Sequence, residues 1–230
     1  MSKQIILVFR LVITTLLFIA VSVAISFIAA IPLFFDLEKQ GFLWSNSLAF
    51  MFSNLLMLAL TVIFIKKTNK DHFIQPKSIN KRKVYIVLSI LFGVIFVLAL
   101  PVLLSFLYLF IENDNPSNQH IDLVFYFWRL PFLLTAVIIA PIYEELFFRK
   151  YILTQMLINY NPLVSILFSS VLFSSAHLMN SINNCFISFF GGLIAGTLFY
   201  KTNNIVYSIL FHITWNFTIH MSKYYTIPYF

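Results

Sequence analysis

The stretch Pro-Ile-Tyr-Glu144-Glu145-Leu-Phe-Phe-Arg149 sets two carboxylates and a guanidinium inside an otherwise apolar run. Charged side chains are costly in such surroundings and are kept where they face one another or a cavity. On a helix, Glu145 and Arg149 stand at i and i+4 with the acid on the N-terminal side, the favourable order for an ion pair. Glu144 points about 100° away and lacks that partner, which leaves it for proton transfer as a general base. Pro141 frees a backbone carbonyl just before the pair and can bend the helix there. A purely structural ion pair, or a helix end at the membrane interface, is the bland alternative. It does not explain two carboxylates for one arginine.

Two further stretches carry polar chemistry in apolar helices: Phe173-Ser-Ser-Ala-His177 and His212-Ile-Thr-Trp-Asn216. Phe173 and His177 share a face at i and i+4, as do His212 and Asn216. A lone histidine in an apolar helix is more often a hydrogen-bonded structural residue, but two beside an acidic helix weaken that reading. Glu144 and His177 lie at similar distances on either side of the turn Asn159–Pro162. In an antiparallel hairpin both therefore sit roughly 25 Å from it, at one level. Measured from the turn Lys201–Asn204, Asn216 comes nearer to that level than His212.

The chain contains no His-Glu-x-x-His zinc motif and no Gly-x-Ser-x-Gly elbow. Ser174 and Ser175 precede His177, but that spacing on one helix does not bring the imidazole onto a hydroxyl. Two arrangements remain. Glu144 and His177 activate a water for attack on a peptide carbonyl, with His212 and Asn216 donating to the oxyanion. Alternatively, Glu144, His177 and His212 ligate zinc as a His₂Glu set.

The elements that must position these residues are membrane helices. The 230 residues are 60% hydrophobic and 10% charged, with a mean hydropathy of +0.91. Soluble domains are about 25% charged. Runs of roughly 20 apolar residues span a bilayer as helices. Such runs are Leu11–Phe35, Leu43–Ile65, Val84–Ile111 (with Pro101), Leu123–Ile158, Leu163–Leu178, Cys185–Tyr200 and Ile205–Met221. The expected fold is an all-α polytopic bundle of about seven spans. Residues 1–122 would form N-terminal helices and a basic loop, 123–221 the site-bearing core, and 222–230 a short tail. The first run is too long for a signal-peptide core and reads as a retained span. The net charge of +7 gathers in short loops, which points to lipid headgroups and topology rather than nucleic acid. Lys66–Lys83 is strongly basic and is assigned to the cytoplasm with the N-terminus. Glu112–Asp122 falls on the far side. The single Cys185 can form neither an internal disulfide nor a cysteine metal site.

Taken together, Glu-Glu-x-x-x-Arg (Glu144, Glu145, Arg149), Phe-x-x-x-His (Phe173, His177) and His-x-x-x-Asn (His212, Asn216) resemble the CPBP family. This family comprises the CAAX prenyl proteases and bacteriocin-processing enzymes. The likeness runs from about Leu123 to Met221. It implies an intramembrane endopeptidase in which Glu144 and His177 activate the water. His212 and Asn216 would form the oxyanion hole, and Arg149 would hold the acidic helix through a carboxylate. It implies a glutamate mechanism without metal, with zinc on Glu144, His177 and His212 as the other possibility. Relatives commonly carry Gly after the motif arginine; this chain has Lys150. Relatives also work near the cytoplasmic face, whereas the loop charges here put the site nearer the outer side.

The implied substrates are membrane-associated peptides or protein tails, such as bacteriocin or pheromone precursors. Richness in Phe, Ile, Asn and Lys hints at a bacterial cytoplasmic membrane. Two other readings stand beside this one. A non-catalytic immunity or scaffold protein of the same architecture would tolerate loss of Glu144. A small proton-coupled transporter would use the Glu/Arg/His set as a relay and cleave nothing.

Overall fold

A computed structural model describes residues 3–30, 39–68, 82–108, 130–178 and 182–225. Among these the chain forms seven helical rods and no strand, as an integral membrane bundle. They are α1 (Lys3–Ala30), α2 (Lys39–Thr68), α3 (Arg82–Tyr108), the rod α4 (Leu130–Asn159), α5 (Pro162–Ser175), α6 (Ile182–Thr202) and α7 (Ile205–Tyr225). Four are long and apolar enough to cross a membrane: Lys3–Ile25, Leu48–Thr68, Leu130–Asn159 and Ile182–Thr202. Shorter apolar stretches lie at Lys83–Val97 and Pro162–Ser175. The acidic loop Glu112–Asp122, Arg129, most of the basic loop Lys66–Lys83 and the tail beyond Tyr225 lie outside the described residues.

Large apolar side chains such as Phe9, Leu16, Leu17 and Ile63 point outward, as expected where the surrounding solvent is lipid. The interior is built from Phe147, Phe148, Ile152, Phe173, Phe211 and Trp215. Helices in lipid associate by close packing of small residues. Here α6 provides Gly192-Leu-Ile-Ala-Gly196 against α5. A Cβ on Gly192 would stand 3.1 Å from Ser170 Cβ, and one on Gly196 3.2 Å from Ile166 Cγ2. Ser208 Oγ of α7 donates to Ala195 O of α6 at 2.8 Å, tying the third helix to this seam.

α4 is not a uniform helix. α-Helical turns at Leu130–Leu134, Ala140–Glu145 and Thr154–Asn159 alternate with π-helical Thr135–Ile139 and Leu146–Leu153. Such segments are rare and gather at functional sites. The two glutamates sit on the α-helical turns between them.

α1 starts at Lys3, ahead of the expected Leu11, and Arg10 Nη2 donates to Gln155 Oε1 at 3.4 Å. α3 continues through Pro101 to Tyr108. α5 stops at Ser175, so His177 lies in the following turn rather than within the helix as the sequence spacing suggested. There the His177 N–H bonds Ser174 O at 2.9 Å. The side chain still reaches back to its i−4 neighbour.

Candidate active site

The buried centre is an ion pair on α4. Arg149 Nε donates to Glu145 Oε2 at 3.1 Å, and both side chains are fully buried. Arg149 Nη1 donates to Ser169 Oγ at 3.0 Å, and that hydroxyl donates to Phe148 O at 2.8 Å. The guanidinium also sits over the Phe173 ring, 4.9 Å from its centre. The acid–base order read from the sequence is thus realised as a pair anchored on α5. Ser169, which no sequence motif marked, is its third member. Among the described residues Arg149 Nη2 is buried without a hydrogen-bond partner, so the carboxylate, the hydroxyl and the ring supply the pairing that a buried charge needs.

Glu145 Oε1 accepts from His212 Nδ1 at 3.1 Å. A carboxylate oxygen can only accept, so Nδ1 carries a proton and Nε2 faces the other way. Glu144 Oε2 lies 3.7 Å from that Nε2, too far for a hydrogen bond. His212 therefore bridges the two carboxylates. It is clamped between rings: Trp215 stacks on it at 5.1 Å and 25°, and Phe173 meets it edge-on at 5.6 Å. Its level relative to Asn216 is the reverse of the sequence estimate. His212 is at the glutamates, while Asn216 lies beyond them and donates from Nδ2 to Ala136 O at 2.9 Å. The estimate assumed that the turns ending α4 and α6 lie at equal height and that the helices run parallel.

The Asn216 bond has a local cause. In the π segment before Pro141, each N–H reaches the carbonyl five residues back, as Ala140 N–H does to Thr135 O. Pro141 is the residue that would serve Ala136 O, and it has no N–H. The carbonyl freed by Pro141 is thus filled from α7.

Glu144 is the less buried glutamate, its side chain 18% exposed. With His177 it lines a cavity of about 480 Å³. Tyr143, Phe148 and Ala176 complete one side, and Phe18, Ile19, Ser22, Val23 and Phe27 of α1 form the other. The two residues placed at one level by counting from the turn do share one space. His177 Nδ1 lies 3.1 Å from Phe173 O. A carbonyl only accepts, so Nδ1 is the donor and Nε2 of the neutral ring keeps its lone pair. Tyr143 is fixed by donating to Asn54 Oδ1 of α2 at 2.8 Å. Ser174 Oγ and Ser175 Oγ donate to Val171 O and Leu172 O at 3.0 and 2.7 Å, so both hydroxyls are spent on their own helix. Among the described residues no group of three or more His, Cys, Asp or Glu is arranged to hold a metal ion.

A helical membrane bundle with a buried Glu-Arg-His cluster beside a small cavity defines the class to which this fold and site belong. Residues 126–218 match the family described as Rce1-like, type II CAAX prenyl endopeptidase. No curated protein and no solved structure matches the chain.

The α1 wall, Ser169, Tyr143 with Asn54, and the Trp215 stack escaped the sequence motifs. Only Tyr143 and Trp215 stood inside the motif stretches and so carried any positional signal.

Proposed function

We propose that this protein is an intramembrane endopeptidase that hydrolyses peptide bonds of membrane-associated peptides or protein tails without a metal. The observation that carries the reading is that Glu144 and His177 face one cavity while Glu145 is locked away by Arg149. In this reading Glu144 and His177 Nε2 hold a water, and the carboxylate takes its proton as the oxygen attacks the scissile carbonyl carbon. The proton then passes to the leaving amine nitrogen as the C–N bond breaks. Asn216 keeps one N–H on Ala136 O and offers its second to the oxyanion. His212 joins it when both ring nitrogens carry protons, with Nδ1–H kept on Glu145 and Nε2–H turned to the oxyanion as Glu144 swings toward the water. Glu145, Arg149 and Phe173 orient this set. Zinc held by Glu144, His177 and His212 would take Nε2 of His212 with Nδ1–H kept on Glu145, and the chelator arm of the test below separates that arrangement from the metal-free one.

The proposed setting is a bacterial cytoplasmic membrane. The proposed substrates are bacteriocin or pheromone precursors, or partners in self-immunity. The test is cleavage of a membrane-peptide library by the purified full chain in liposomes, beside Glu144→Gln and His177→Ala, each with and without chelator. Cleavage that survives chelator and is lost in both variants supports the proposal. Loss with chelator and recovery with zinc would transfer Glu144 and the histidines to ligand roles. No cleavage, with a biological effect that survives Glu144→Gln, would leave the scaffold or immunity reading.

A further inference from the structure

The ends of the bundle differ in charge. α1 begins where α4 ends: Tyr160 OH donates to Gln4 O at 3.3 Å, and Arg10 reaches Gln155. α2 reaches the same end, with Phe64 packed edge-on against Tyr151 at 4.8 Å. The start of α3 meets the start of α7 there, through Tyr85 and Tyr207 at 5.7 Å. Leu153, Ile166 and Phe199 pack together with Ile205, which brings the α6–α7 turn to this end too. Lys3, Arg10, Lys66, Lys67, Lys83 and Lys201 all belong to this end. The sequence 69–81 between α2 and α3 adds Lys70, Lys77 and Lys81 against Asp71 alone. The sequences joining helices at the other end contain Asp36, Glu38, Glu112, Asp114 and Asp122, with Arg129 as their only Lys or Arg. Lys39 and Lys223 lie in the far-end turns of α2 and α7, so the basic residues are fewer there and are offset by acids. Lys and Arg in short loops stay on the cytoplasmic side, so the basic end is the inner one.

The cavity is in the opposite half. Its α1 wall runs from Phe18 to Phe27, and His177 lies just past the far end of α5. From the level of Gln4, Ser22 is roughly 27 Å along the helix, in a hydrocarbon layer about 30 Å thick. The wall is apolar apart from Ser22, Tyr143, Glu144 and His177. We infer that the site opens toward the non-cytoplasmic half of the bilayer and receives uncharged, apolar peptide segments presented from that side. The orientation stands on charge and geometry alone; the nature of the occupant rests on the peptidase reading.

The chain's single cysteine makes the orientation directly measurable. In a Cys185→Ser background, Asn159→Cys marks the basic end and Ile182→Cys the cavity end, both at exposed positions. Intact bacterial cells expressing the full chain are treated with a membrane-impermeant maleimide, and permeabilised cells with the same reagent. Label on Ile182→Cys in intact cells, with Asn159→Cys reached only after permeabilisation, is the expected result. The reverse pattern, or equal labelling of both in intact cells, overturns the inference. A second arm tethers one apolar reporter segment on either side of the membrane. Cleavage of the outer tether alone is expected, and cleavage of the inner one overturns the inference. If neither tether is cut, the peptidase reading fails and the labelling still decides the orientation.

Discussion

Gly191→Ala probes how firmly His212 is held. An added Cβ at Gly191 would stand 2.4 Å from Trp215 Cζ3 and 2.6 Å from Cη2. Carbon atoms in contact normally sit about 3.5–4.0 Å apart, so the indole must retreat by about 1 Å. It has little room. Phe96 meets it edge-on at 5.2 Å, Phe211 lies at 6.1 Å, and its free face is stacked on His212. Overpacking of this kind costs about 1–3 kcal/mol. Displacing a reacting group by about 1 Å costs on the order of 10²-fold in rate. The expected outcome is a modest fall in Tm in detergent and a far larger fall in kcat than in KM on any cleaved peptide. Trp215→Phe in the same chain removes the ring atoms that clash and should restore much of the activity. If Gly191→Ala lowered Tm but left kcat intact, Trp215 would not be what positions His212. If neither quantity moved, the packing argument itself would be wrong.

Arg149→Met leaves Glu145 buried without its cation and should destabilise the protein by about 3–5 kcal/mol, measured by thermal or denaturant unfolding in detergent. Adding Glu145→Gln to that variant should recover part of the stability without recovering cleavage. Asn216→Leu strips Ala136 O of its donor and should cost about 1 kcal/mol, with loss of the proposed oxyanion contact seen as a fall in kcat.

The sequence made the helical membrane architecture legible because apolar run length is a local quantity. The Glu145–Arg149 pair was equally legible, since i and i+4 on one helix are neighbours whatever surrounds them. The shared level of Glu144 and His177 followed from one short turn between their helices. The order of His212 and Asn216 did not, because it depends on how α7 sits against α4 across the bundle. The filling of Ala136 O could not be read either. It requires a π segment, a proline and an asparagine from a helix some eighty residues later. Ser169 and Gly191 matter only through what faces them, and a single sequence carries no record of facing pairs.

The cavity draws one wall from α1, which lies outside the matched stretch 126–218, and the other from inside it. On the peptidase reading proposed above, the groups assigned to proton chemistry and much of the wall that would select a substrate are written in separate parts of the gene. Drift at Phe18, Ile19, Val23 or Phe27 can retune what the site admits without disturbing the Glu145–Arg149–His212 lattice. On that reading, a lineage built this way would acquire new clients by changing a single helix.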